Sequence, residues 1–254
     1  VYAGHRLGLP TYVHDSNAVP GRANVLTSRF CTKVLLGLAA AKSHFGRRET
    51  LVTGTPVRRE LHELPARDAS LAKFGLRDDL PVVLVVGGSQ GAKGLNTLIL
   101  EAAQEISGQV QWLHIAGNRD YERVKTEAHG RPDHVVLSFC DEMAAAYAAS
   151  TMVICRSGAS SLTELALLGL PAILVPYPFA SDDHQTKNAE AFVDGGGARM
   201  FQECNLSGKK LAAEVAELAT DRKLLAPMAE GMRRLSVDEA AGRICNELVD
   251  GRVS

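Results

Sequence analysis

Short apolar runs recur along the chain, each followed by a polar or Gly-rich turn: Thr11 to His14, Lys33 to Leu36, Thr50 to Thr53, Val82 to Val86, Gln111 to Ala116, Val135 to Phe139, Met152 to Cys155 and Pro171 to Pro176. Between the later runs lie helical patterns at Gly94 to Ile106, Asp120 to Ala128, Asp141 to Ala148 and Ser161 to Leu168. Strand and helix alternating at this spacing predict an α/β fold with a parallel, doubly wound sheet. VVLVV and AILVP are apolar without a break, as expected of strands covered on both faces. The polar segment after Arg58 carries one short helical pattern, Ala69 to Phe74, and no strand before Val82, so a domain boundary is expected near residue 60. Leu211, Val215, Leu218, Ile244 and Leu248 fall at helical spacing, and the tail from Leu211 to Val249 reads as helical throughout.

The stretch Val153 to Ala191 organises the rest. A strand feeds a Gly/Ser turn and a helix from about Ser161, and a second strand leads through a polar loop into a helix near Gln185. Both helix N-termini then face one crevice, offering unpaired N–H groups and the positive dipole end to an anion.

Five segments carry candidate chemistry. VVLVVGGSQGAKGLNTLI, Val82 to Ile99, is a strand, a Gly-rich turn and a helix, in which Ser89, Gln90 and the helix-start amides can meet phosphate; its spacing fits neither the dinucleotide fingerprint nor the P-loop. In CRSGASSLTE, Ser161 and Glu164 have the spacing of a capping box. Glu164 equally fits a bidentate acceptor for two ribose hydroxyls, with Arg156, Ser160 and Ser161 near a phosphate. In ASDDHQTKNAE, Gln185 and Asn188 share one helix face and can read sugar hydroxyls, while Asp182 or Asp183 suits an N-cap. In HDSNAVPGRAN, His14 beside Asp15 is a candidate general base and Asn17 can orient a hydroxyl. TGTPVR ends in Arg58, able to pair with phosphate.

Bulk properties narrow the options. The chain has 254 residues, 46% of them hydrophobic, enough for one large or two small α/β domains. Five cysteines without C-x-x-C spacing suggest neither a disulfide framework nor a zinc site, and no metal is expected. A formal net charge of −1 argues against nucleic acid as a partner. The charge is uneven: residues 1–60 hold nine Lys/Arg against three acids, a net +6, and the remainder is −7. A basic first half suits a phosphate-bearing substrate or an anionic lipid surface. The chain opens on Val1 in what reads as the middle of a helix, and an N-terminal segment is expected to precede it.

Taken in order, LGLPTYVHDSN, GTPVR, GGSQGAKGLN, FCDEMAAAYAAS, CRSGASSLTELALLGLPAILVP and DDHQTKNA resemble the MurG family, over nearly the whole chain. The resemblance implies a GT-B type glycosyltransferase of two Rossmann-like domains, the first incomplete here. Residues 1–60 would be the remainder of the acceptor-side domain, with a C-terminal helix from about 230 to 254 returning to it, and 61–229 the UDP-sugar domain. The implied reaction is inverting transfer of N-acetylglucosamine from UDP to the 4-hydroxyl of a lipid-linked muramyl-pentapeptide, without a cofactor, at the cytoplasmic face of the bacterial plasma membrane, as a peripheral protein. Glu164 would take the ribose; Arg58, Ser89, Ser160 and Ser161 the diphosphate; Cys140 and Met143 the uracil; Gln185 and Asn188 the sugar; Asn17 would lie near the acceptor. The family's HEQN reads His14, Asp15, Ser16, Asn17 here, its GNPVR reads Gly54, Thr55, Pro56, Val57, Arg58, and its N-terminal Gly-rich loop with a candidate base His has no counterpart. Rival readings are a UDP-sugar 2-epimerase and a non-catalytic UDP-sugar-binding half that needs a partner chain.

Overall fold

The computed structural model describes residues 1–88 and 92–250. Among these residues, nine parallel strands form two sheets. The first holds β1 (Tyr12–Asp15), β2 (Lys33–Leu36) and β3 (Thr50–Val52), in that order. The second holds β4 (Val82–Val86), β5 (Gln111–Ile115), β6 (His134–Leu137), β7 (Met152–Cys155), β8 (Ala172–Leu174) and β9 (Ala198–Met200), in the order 6-5-4-7-8-9. Eleven α-helices among the described residues connect and cover them: α1 (Tyr2–Arg6), α2 (Arg22–Thr27), α3 (Arg67–Phe74), α4 (Lys93–Glu105), α5 (Tyr121–Glu127), α6 (Met143–Ala149), α7 (Ala159–Leu168), α8 (His184–Asp194), α9 (Gly208–Thr220), α10 (Arg222–Arg234) and α11 (Ala240–Asp250).

The unbroken apolar strands are explained by the second sheet. Successive side chains on a strand point to opposite faces. Leu84, Leu113, Val153 and Leu174 join a core with Leu162, Leu165 and Phe192. Val83, Val85, Trp112, Ile154 and Ile173 join another with Leu95, Ile99, Leu211 and Val215. Both faces are buried, so neither tolerates alternation.

Strand order reverses between β4 and β7, and a parallel sheet opens its ligand crevice at such a switch point, outside the carboxyl ends of the strands. The turns after β4 (Gly87, Gly88) and after β7 (Arg156 to Gly158) meet there.

Two expectations change. The three-residue strand β9, with an arginine at its centre, lacks the apolar run that marks the others. The tail is not helical throughout: Asp221 ends α9 with extended φ/ψ and caps α10 through Lys223 N–H at 2.8 Å, and Glu239, with φ +53, precedes α11, so the returning helix begins at Ala240 and not at about 230.

The chain passes from the first sheet to the second through Gly54 to Val57 and returns through Ser236 to Ala240, and the two crossings face one another across a small cavity. Gly54 has φ +75, and a Cβ there would lie 2.7 Å from that of Val237. Beyond the return crossing, α11 reaches the first sheet: the Tyr12 hydroxyl donates to the Glu247 carbonyl at 3.2 Å, and Lys33 pairs with Glu247 at 2.5 Å.

Candidate functional site

A cavity of about 490 Å³ opens at the switch point, lined by Val86, Gly87, Gly88, Ala92, Arg119, Arg156, Gly158, Ser161, Tyr177 and Gln185. Two of its walls are helix starts. α7 begins at Ala159, after Gly158 at φ −67, ψ 137, and among the described residues no side chain caps it, which leaves its first amides for a ligand. This removes the capping-box reading. With the helix starting at Ala159, Ser161 is its third residue and Glu164 its sixth, one turn too deep to cap. α8 begins at His184, with Asp183 in the cap position and Asp182 and Asp183 both at left-handed φ. Neither aspartate caps it through its side chain: Asp183 accepts from the Thr186 hydroxyl at 2.6 Å, and Asp182 pairs with Arg22 at 2.5 Å.

Glu164 lies beside the cavity and is held from two sides. Arg58 grips it as a fork, Nε to Oε1 and Nη2 to Oε2, both at 3.0 Å. The Tyr147 hydroxyl donates to Oε2 at 2.8 Å. Burial, then the Glu164 charge, holds the Tyr147 phenol well above its ordinary pKa, so it remains a donor. Tyr147 lies four residues after Met143 on the buried face of α6, and Cys140 is buried just before that helix. Glu164, Arg58, Tyr147, Met143 and Cys140 thus form one cluster along α6 and α7. Tyr147 is a residue that sequence reasoning missed; its position in FCDEMAAAYAAS, one turn from Met143, was the available signal.

Other expected residues are placed differently. Arg156 is nearly buried; it donates to the Val175 and Pro176 carbonyls at 3.0 and 3.1 Å and pairs with Glu203 at 2.5 Å, so its charge is already matched. Gly94 makes room for that pair, since a Cβ there would collide with the Glu203 carboxylate. Gln185 lines the cavity, its Oε1 accepting from Tyr177 N–H at 2.9 Å. Asn188 does not line it. Completely buried, Asn188 accepts from Ala18 N–H at 2.7 Å and donates to Asn17 Oδ1 and the Ser157 carbonyl, both at 3.1 Å. It joins the first sheet's loop to the second sheet's, and Asn17 is its partner. Both of its amide hydrogens are thereby committed within the protein.

His14 and Asp15 do not form a dyad. They are adjacent on a strand and point to opposite faces. His14 Nε2 meets the Gly54 carbonyl at 2.8 Å. Asp15, 4% exposed, accepts from Asn17 and Gly21 N–H and from Asn24 Nδ2 at 2.8–3.0 Å, which shapes the loop after β1. Ser160 is exposed at the start of α7. Ser89 and Gln90 lie outside the described residues. Arg119, which no motif pointed to, lines the cavity, is exposed, and has no carboxylate partner among the described residues. No cluster of metal-ligating side chains occurs among the described residues.

Residues 82–244 match the glycosyltransferase family 28 C-terminal domain. Over 251 residues, covering 95% of this chain and 66% of the relative, the chain is 40% identical to the UDP-N-acetylglucosamine–N-acetylmuramyl-(pentapeptide) pyrophosphoryl-undecaprenol N-acetylglucosamine transferase of Desulfotalea psychrophila. It is 37% identical to the transferase of that name from a Nostoc species, covering 96% of this chain and 67% of the relative. The chain belongs to this transferase family. It spans about two thirds of the length of these curated relatives. The solved MurG structure from Acinetobacter baumannii superposes with a TM-score of 0.81 at 30% identity, over 98% of this chain and 69% of that one. This GT-B fold extends to more distant proteins: a Neisseria meningitidis UDP-GlcNAc 2-epimerase superposes at 0.72 with 15% identity, which shows a common fold alone.

Proposed function

We propose that this chain carries the donor site of an inverting transferase that moves N-acetylglucosamine from UDP-N-acetylglucosamine to the 4-hydroxyl of a lipid-linked muramyl-pentapeptide, in peptidoglycan synthesis. The observation that carries this reading is the switch-point cavity, bounded by the uncapped start of α7, with Glu164 one turn further in. The first amides of α7 and the Arg119 cation suit a diphosphate. Glu164 suits the ribose diol, Cys140 and Met143 the uracil edge, and Gln185 the sugar. As UDP leaves, its new negative charge is met by groups already fixed in place, which lowers the barrier without a metal. The acceptor hydroxyl must lose its proton as it attacks, and Asp15 and His14, already bonded to backbone, are not assigned that role.

The basic first sixty residues suit the diphosphate of the acceptor or an anionic membrane surface. No described helix is long and apolar enough to cross a membrane, which fits peripheral attachment at the cytoplasmic face.

The test is transfer of radiolabelled N-acetylglucosamine. Release of UDP should require the lipid acceptor; release at the same rate without it overturns the proposal. Glu164→Ala should raise the UDP dissociation constant about tenfold to a hundredfold by calorimetry, the worth of a charge-assisted hydrogen bond or two.

A further inference from the structure

The Arg58–Glu164 pair poses a stoichiometric problem for the donor site, and its solution makes Arg58 a determinant of specificity. A carboxylate has about four acceptor positions, two on each oxygen. Oε2 of Glu164 already accepts from Tyr147 and from Arg58 Nη2, and Oε1 accepts from Arg58 Nε. A ribose diol chelating the carboxylate places one O–H on each oxygen. Arg58 Nη2 also lies 2.9 Å from Oε1, so the three donors leave one free acceptor position for two hydroxyls. Either Tyr147 or Arg58 must therefore leave. Tyr147 is only 3% exposed, within the core of the second sheet, whereas the Arg58 side chain is 40% exposed. Arg58 is the one free to move.

A released guanidinium needs an anion. Ser161, three residues before Glu164 on α7 and so its neighbour on the helix surface about 5–6 Å away, lines the cavity where the diphosphate would lie. A swing of one helix turn takes Arg58 from the ribose carboxylate to the phosphates. Arg156, already at that cavity, is matched by Glu203 and leaves the phosphate charge for others.

We propose, resting on the donor-site reading above, that Arg58 is an exchangeable latch: it occupies Glu164 in the empty site and transfers to the diphosphate when a nucleoside diphosphate binds. A nucleoside alone must expel Arg58 and leaves it only the exposed Glu60 carboxylate, 3.8 Å from its Nε in the empty site. A nucleoside diphosphate supplies the new partner. The latch thus selects for the diphosphate at the position that reads the ribose.

The test is calorimetric titration of uridine and of UDP into the wild-type protein, Arg58→Met and Arg58→Lys. Arg58→Met should bind uridine at least about threefold more tightly than wild type, because an exposed ion pair of modest strength no longer competes. It should bind UDP about tenfold more weakly, having lost a charged phosphate partner. Arg58→Lys, which keeps the charge but loses the fork, should tighten uridine similarly and lose less UDP affinity than Arg58→Met. Uridine binding unchanged or weakened in Arg58→Met, in a background where wild type binds UDP, overturns the latch and leaves Arg58 a simple support for Glu164. A wild-type protein that does not bind UDP overturns the donor-site reading itself.

Discussion

At the scale of single residues, the second sheet conceals a pair of histidines that set its response to acid. His114 on β5 and His134 on β6 lie side by side, their rings stacked 5.4 Å apart, with Nδ1 of the first 3.2 Å from Nε2 of the second. Asn96 Nδ2 donates to the Ala116 carbonyl and to Asp120, so its Oδ1 must accept, and His114 Nε2 is the donor at 3.0 Å. His114 Nδ1 is then an acceptor, and His134 donates to it. Both rings are neutral. Burial first, and then the other histidine, lowers the pKa of His114 to about 3; burial, then Arg131, lowers that of His134 to about 4. In the unfolded chain both return to about 6.5. Unfolded protein therefore binds protons that folded protein refuses between pH 6.5 and 4, and stability falls on acidification through that window. The slope approaches about 1.4 kcal/mol per pH unit for each histidine. Urea unfolding between pH 7 and 5, where carboxylates remain largely ionised, should show the midpoint dropping, and less so in His134→Gln. A midpoint constant across this range contradicts the assignment.

At the scale of elements, α7 is the part whose start matters most. Its start borders the cavity, and among the described residues no side chain caps it. Ser161→Asp puts a carboxylate in the first turn, where the helix dipole favours it by about 0.3–1 kcal/mol, and in the space of the diphosphate. Thermal stability should rise slightly while UDP affinity falls at least about tenfold; unchanged UDP affinity would remove this helix start from the site. Such positions are legible in sequence because strand, Gly turn and helix follow in order: VVLVVGG and CRSGASS each placed a turn where the crevice lies. What was not legible depends on partners distant in sequence. Asn188 shares a helix face with Gln185, yet contacts Asn17 and Ala18, some 170 residues earlier, instead of the cavity. Arg156 was expected at a phosphate, but Glu203, on a short turn with no apolar pattern to announce it, had claimed its charge. β9 escaped because it is three residues long, at the edge of the sheet, with only Ala198 buried, so no apolar run marks it.

At the scale of the molecule, the two sheets are joined by few polar contacts, of which Asn188 is the most buried. Asn188→Ala leaves Ala18 N–H and the Ser157 carbonyl without their partner, at a cost of about 1–3 kcal/mol. Denaturant unfolding should show that loss, and a change below about 0.5 kcal/mol would mean that the joint is held elsewhere. The charge asymmetry belongs to this scale too, since a first segment of net +6 and a remainder of net −7 give the molecule a sense of direction toward an anionic surface.

The neighbouring crossings at Gly54 to Val57 and Ser236 to Ala240 add a mechanical condition. Two bodies tethered twice at nearly one place cannot be drawn apart or slid past one another without straining both tethers, but they remain free to turn about that place. Any motion of one sheet relative to the other would therefore be a change of angle, with the groups furthest from the tethers travelling furthest. The exact width of the cleft is set at the spine, where a single added methyl on Gly54 would press against Val237 and hold the covers at a different opening.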